Sequence, residues 1–183
     1  MKKVFLTALI ALATVIPAYA QTAGSEEPYR FELGFNPISY LHQGDKDMWG
    51  GDLSITMRRS EHVSYLADIS VHQTRGLNPF TTSTYRFGLR YYMPARGKFT
   101  PFAEILAGGA NLSAVTRTVG NTTTTLTPSH NGISFAGGGG VDYFIKPWLS
   151  WRVAQVDYSL IRAGGDTSNG VRIHTGAAFH FGH

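Results

Sequence analysis

The chain has 183 residues, no cysteine, a formal charge of +4 and 13% aromatic residues, with 21 glycines. Without cysteine it is no disulfide scaffold, and so mild a charge gives no ground for nucleic-acid binding. The N-terminus reads Met1-Lys2-Lys3, an apolar run from Val4 to Ile16, then Pro17-Ala18-Tyr19-Ala20-Gln21. That is a charged start, a short apolar core and a small-x-small cleavage site, so residues 1–20 are expected to be a cleaved secretory signal. The run is shorter than the roughly 20 apolar residues that span a bilayer as a helix. Without Lys2 and Lys3 the charge falls to +2.

Residues 21–28 are polar and expected to be a flexible leader, and residues 29–183 are expected to form one domain. The first segment, Tyr29 to Tyr40, sets Tyr29, Phe31, Leu33 and Phe35 against Arg30, Glu32, Gly34 and Asn36. Successive side chains of a strand point to opposite faces, so such alternation predicts a strand with one apolar face. A polar turn is expected over Leu41 to Asp47. The second segment sets Trp49, Leu53, Ile55 and Met57 against Asp52, Ser54, Thr56 and Arg58. After a short turn, the third sets Val63, Tyr65, Ala67, Ile69 and Val71 against Ser64, Asp68, Ser70 and His72.

A longer loop is expected from Gln73 to Ser83. The fourth segment sets Tyr85, Phe87, Leu89 and Tyr91 against Arg86, Gly88 and Arg90, and Met93 to Lys98 form a turn. In the fifth, about Phe99 to Ala110, Ala103, Ile105 and Ala107 are placed outside and Phe102 and Glu104 inside. Asn111 to Asn131, with the run Thr122 to Thr125, is read as the longest loop, exposed and mobile. The sixth segment places Phe135, Val141 and Tyr143 outside and Ser134 and Asp142 inside, with a turn over Phe144 to Pro147. In the seventh, Leu149, Trp151 and Val153 oppose Ser150 and Arg152. Its phase then slips, because Gln155 and Asp157 are polar while Val156 and Tyr158 are not; a β-bulge near Ala154 is expected. A last loop, Ile161 to Asn169, leads to the eighth segment. There Val171, Ile173, Ala177, Phe179 and Phe181 alternate with Arg172, His174 and His180.

Eight such strands, joined by alternately long and short connections, predict an all-β, eight-stranded antiparallel up-and-down transmembrane β-barrel. In a membrane barrel the apolar face meets lipid and the polar face the lumen. The inward face then holds Glu32, Asp52, Asp68, Glu104, Asp142 and Asp157 beside Arg30, Arg58, Arg86, Arg90, Arg152 and Arg172. Every base on it is arginine, while the five lysines fall in the signal, loops or turns. An eight-stranded barrel is filled by its own side chains. Charges buried there must be paired, and arginine's planar fork bonds carboxylates well. These twelve residues are the expected lumen network. A solvated sheet face of mixed charge is the competing reading.

The segments Pro101-Phe102-Ala103-Glu104, Gly138-Gly139-Gly140-Val141-Asp142-Tyr143, Arg152 with Gln155-Val156-Asp157-Tyr158, and the closing strand resemble the small eight-stranded outer-membrane β-barrel family. That family includes the membrane domain of outer membrane protein A and outer membrane protein X. The resemblance covers essentially the whole chain after the signal. It implies a location in the cell outer membrane, contact with outer-membrane lipid and lipopolysaccharide, and passage through the barrel-assembly machinery. The chain departs from the family's common aromatic end, since Gly182-His183 follow Phe181.

No catalytic, cofactor or metal site is expected. His62-Val63-Ser64 has the spacing of a lipid A deacylase motif but lies at the short-turn end, away from the outer leaflet. His42, His72 and His130 show no metal-ligand spacing, and Gly137 to Gly140 lacks the lysine and helix of a phosphate loop. The reading is a non-enzymatic monomeric barrel with a plugged, salt-bridged lumen. It would serve envelope structure or present its loops to a surface ligand, with no nucleic acid as partner. The alternatives are a lipid A-modifying barrel enzyme and a soluble secreted barrel that holds a small apolar ligand.

Overall fold

A computed structural model describes residues 29–75, 79–113, 115–119 and 122–182. The expected signal, the leader and part of the 73–83 loop lie outside the described residues. Ten strands follow in chain order. They are β1 (Phe31–Gln43), β2 (Lys46–Arg58), β3 (Val63–Thr74), β4 (Thr81–Tyr92) and β5 (Phe99–Leu112). Then come β6 (Val115–Val119), β7 (Thr122–Thr127), β8 (His130–Lys146), β9 (Leu149–Ala163) and β10 (Asp166–Phe181). Eight of them close a barrel in the order β1-β10-β9-β8-β5-β4-β3-β2, and every pairing in it is antiparallel. Closure leaves no open edge, which a sheet in lipid requires because hydrocarbon offers no hydrogen bonds. No described helix is long and apolar enough to cross a membrane.

The wall follows the two-residue period. Leu53, Ile55, Ile69, Phe87 and Ile105 stand exposed on the outside. Their neighbours Asp52, Ser54, Ser70, Arg86 and Glu104 are buried inside. Rings gather near both rims. Phe31, Tyr91, Phe99, Trp148 and Phe181 lie toward the short turns, and Tyr40, Trp49 and Tyr158 toward the other end. Such girdles sit at the membrane–water interface.

Two bulges keep the facing in phase. On β9 the pairing with β10 skips Val153 and Ala154 and that with β8 skips Val153, and both residues are exposed. The expected bulge is therefore present. On β1 the pairing shifts between Phe35 and Ile38, leaving Pro37 and Ile38 both outward. Proline lacks the N–H that a ladder needs, so a bulge accommodates it. Beyond it the phase is reversed, and Ser39, Leu41 and Gln43 point inward.

Several sequence expectations are corrected. Tyr29 is buried and Arg30 exposed, the reverse of the alternation extended back from β1. The strand begins only at Phe31, and Arg30 N–H donates instead to the carbonyls of Phe181 (2.9 Å) and Gly182 (2.7 Å). The stretches 41–47 and 161–169 are not long loops. Their polar residues continue the ladders, pairing His42 with Asp47 and Arg162 with Thr167. The turns shrink to two residues at Gly44–Asp45 and Gly164–Gly165. Gly44 (φ 65°), Gly164 (φ 62°) and Gly165 (φ 91°) take left-handed backbone there, which glycine adopts without strain. The 111–131 stretch holds a second, two-stranded sheet, β6 paired with β7, outside the barrel wall. Threonine favours strands, but the run carries no alternation to reveal one.

Candidate functional site: the lumen network

Each wall strand contributes a charged side chain to the interior: Glu32 from β1, Asp52 from β2, Asp68 from β3, Arg86 and Arg90 from β4, Glu104 from β5, Asp142 from β8, Arg152 and Asp157 from β9, and Arg172 from β10. All ten are less than 5% exposed.

Three arginines follow one rule. Each grips a carboxylate on the neighbouring strand and another on a strand further round the barrel. Arg90 donates to Glu104 (2.9 Å) on adjacent β5 and to Glu32 (2.7 Å) on β1. Arg152 donates twice to Asp142 (2.9 and 3.0 Å) on adjacent β8 and once to Glu32 (2.8 Å). Arg172 donates to Asp157 (2.9 and 2.8 Å) on adjacent β9 and to Asp68 (3.0 Å) on β3. Neighbouring pairs of this kind tighten a ladder. The second bonds join strands that are not neighbours, Arg152 reaching past β10 and Arg90 and Arg172 each reaching past two strands, and the charge-assisted geometry is the strong one.

Neutral groups join the pairs. Gln155 donates to Glu104 (2.7 Å) and to Asp157 (3.0 Å), linking the Arg90 and Arg172 systems. Tyr92 O–H donates to Glu32 (2.6 Å). His174 bridges two acids, with Nδ1 2.7 Å from Asp52 and Nε2 3.3 Å from Asp157. Asn36 also donates to Asp52 (2.6 Å). Arg86 differs from the other arginines. Its bonds run to the Ser134 (2.8 Å) and Ser159 (3.0 Å) hydroxyls, and Asp68 on adjacent β3 stands 3.9 Å away.

Rings close the interior at the short-turn end. The Phe102 face receives the guanidinium groups of Arg90 (4.4 Å) and Arg152 (4.8 Å), a cation–π arrangement. His180 packs between Tyr29 (4.0 Å) and Phe144 (4.8 Å) and shares a hydrogen bond with Ser150 (2.8 Å). At the other end apolar Leu41, Met48 and Ile161 are buried beside His72, which bonds Ser39 (2.7 Å).

Ten of the twelve residues expected in the network are thus buried together in the lumen. Arg30 is not among them, because it points outside. Arg58 is only half-buried and lies at the mouth, over the rings of Tyr29 (4.3 Å) and Tyr92 (4.8 Å). Tyr92, Gln155, Asn36 and the serines that serve Arg86 belong to the network beyond the twelve. Parity places them inside, but charge alone does not single them out. The remaining candidates are scattered. Ser64 is buried, while His62 lies beside the outward ring of Tyr91 (5.6 Å). His42 pairs with Asp47 (2.7 Å) on the exposed β1–β2 hairpin.

No protein-family profile matches the chain, and no curated protein matches it. Solved structures do. The chain is similar to Neisserial surface protein A, with a TM-score of 0.68 at 12% identity over 82% of this chain and 97% of that one. It is similar to outer membrane protein AlkL, solved in lipid bilayers, with a TM-score of 0.55 at 12% identity over 91% of this chain and 97% of that one. Outer membrane protein OprG from Pseudomonas aeruginosa gives a TM-score of 0.54 at 12% identity over 85% and 97%. At such identity the likeness is one of fold. Its fold is that of the small eight-stranded outer-membrane β-barrels.

Proposed function

We propose that this chain is a non-enzymatic barrel of the bacterial outer membrane with a plugged lumen. It is exported through a signal cleaved after Ala20, and residues 29–183 form the barrel. The observation that carries the reading is the set of arginine bonds between strands that are not neighbours, from Arg90 and Arg152 to Glu32 and from Arg172 to Asp68, inside a wall that is apolar outside. Buried charges of this kind are costly unless paired, and here they occupy the space that a pore would need. The protein contributes to envelope structure as a monomer set in phospholipid and lipopolysaccharide, after insertion by the barrel-assembly machinery. The β1–β2, β6–β7 and β9–β10 hairpins are the parts available to a surface ligand.

Cell fractionation followed by gel electrophoresis of boiled and unboiled samples tests this. An outer-membrane band that shifts on boiling supports the reading. A soluble band that needs no detergent overturns it in favour of a secreted barrel. Altered lipid A mass on expression would overturn the non-enzymatic part alone.

A further inference from the structure

The two ends of the barrel differ in charge. At the hairpin end the exposed ionic side chains among the described residues are mixed: Asp45, Lys46, Asp47, Arg75, Arg162 and Asp166. At the short-turn end, Arg30, Arg59, Arg96, Lys98 and Lys146 are exposed, and Glu61 is the one exposed acid among the described residues there. The cations are spread around the rim, on the edge before β1, the β2–β3 and β4–β5 turns and the end of β8.

Two of these cations, Lys98 and Lys146, lie over rings at the edge of the apolar wall. Lys98 Nζ is 6.0 Å from the centroid of the Tyr143 ring, and Lys146 Nζ is 5.6 Å from that of Trp148. The same rings pack into the girdle, Tyr143 against Phe99 (5.0 Å) and Trp148 against Phe179 (6.4 Å). Interfacial rings sit at the depth of lipid headgroups. Long basic side chains near such rings keep their stems on apolar surface and their charge at headgroup level. A soluble polyanion would instead be met by cations directed away from the wall into water. An anionic headgroup gains from every cation near the surface, whereas a zwitterionic one presents no net charge to attract them.

We propose that the short-turn rim is a collar for anionic phospholipid headgroups, with Arg30, Arg59, Lys98 and Lys146 as its phosphate-facing cations. The collar rests on the reading of this chain as a membrane barrel whose long β5–β8 excursion, carrying β6 and β7, faces outside and leaves this rim to the periplasm. It would fix the depth of the barrel and enrich anionic lipid in the periplasmic leaflet around it.

The test uses the folded full-length mature chain in nanodiscs holding equal phosphatidylglycerol and phosphatidylcholine, with retained lipids counted by native mass spectrometry. The expected result is preferential retention of phosphatidylglycerol by about tenfold. The variant R30Q/R59Q/K98Q/K146Q should bring retention close to parity. The hairpin-end variant K46Q/R75Q/R162Q should leave the preference intact. Parity in the unaltered protein overturns the collar, as does a preference lost only in the hairpin-end variant. A rim variant that loses binding to soluble polyglutamate while keeping its lipid preference also overturns it, in favour of an acidic soluble partner. The heat-dependent gel shift is recorded for every sample, and K98Q/K146Q replaces the fourfold variant if that one does not fold. An unaltered protein that never shifts sinks the membrane-barrel reading and the collar together. One that shifts but shows parity sinks the collar alone.

Discussion

The two halves of the lumen are filled by different chemistry. Toward the short turns, Arg90 and Arg152 meet on Glu32 and extend to Glu104 and Asp142, with Phe102 beneath both guanidinium groups. Toward the hairpins, Arg86 relies on two serine hydroxyls, Ser70 shares a hydrogen bond with Thr84 (2.8 Å), and Leu41, Met48 and Ile161 fill the space. Both halves are closed, and Arg172 with Asp157 and Asp68 carries paired charge into the second, but the bonds of Arg86 itself run to neutral hydroxyls, whereas Glu32 is shared by two arginines. A buried ion pair adds little over a good apolar filling, yet removing one partner strands the others. Glu32 and Arg86 should therefore respond very differently to substitution.

Glu32→Ala is expected to have the largest effect. It removes the shared acceptor of Arg90, Arg152 and Tyr92, and breaking buried pairs of this kind costs about 3–5 kcal/mol. Urea unfolding of the barrel in vesicles, followed by tryptophan fluorescence, measures it. A loss below that of the serine-bonded half would erase the distinction drawn here.

Gly138→Ala comes next. A Cβ there would collide with the Val156 carbonyl oxygen and with Asp157, so adjacent strands must part. Overpacking of this order costs about 1–3 kcal/mol. The same unfolding experiment reads it, with Gly137→Ala as its companion. There the nearest atom to a new Cβ is the Glu104 carbonyl oxygen at 3.7 Å, and the change should lie within about 0.5 kcal/mol of zero.

Arg86→Met sharpens the comparison from the hairpin half. It gives up two hydroxyl bonds and leaves Asp68 with Arg172. The expected loss is about 1–2 kcal/mol, well under that of Glu32→Ala. A double variant, with the two losses compared to their sum, would show whether the halves act independently.

Much of this arrangement is legible along the chain, and the limits are physical. Alternation places Glu32, Arg90 and Asp157 inside because parity is local. It also exposes the bulge at Val153–Ala154, where the parity slips within four residues. It fails at Arg30, since parity holds only while the backbone is a strand, and β1 starts one residue later. The partners on strands that are not neighbours are a different matter. Arg152 and Glu32 are separated by 120 positions, and nothing in either segment selects the other. Barrel closure and the stagger of the strands bring them to one height. The neighbouring pairs Arg90–Glu104, Arg152–Asp142 and Arg172–Asp157 follow from register, which the turns fix. The stretches 41–47 and 161–169 read as loops because polar residues on both faces hide a strand that continues into water. Their inward positions, Leu41, Gln43 and Ile161, are too few to set an alternation before the exposed turn begins.

The most direct test of the plugged lumen is single-channel recording of the folded barrel in a planar bilayer. Arginine bonds between strands that are not neighbours predict a flat current, with no discrete conducting steps at moderate voltage. Stable, ohmic steps from the unaltered protein would mean that ions pass through the ring of paired charges, and the filled interior described here would be wrong.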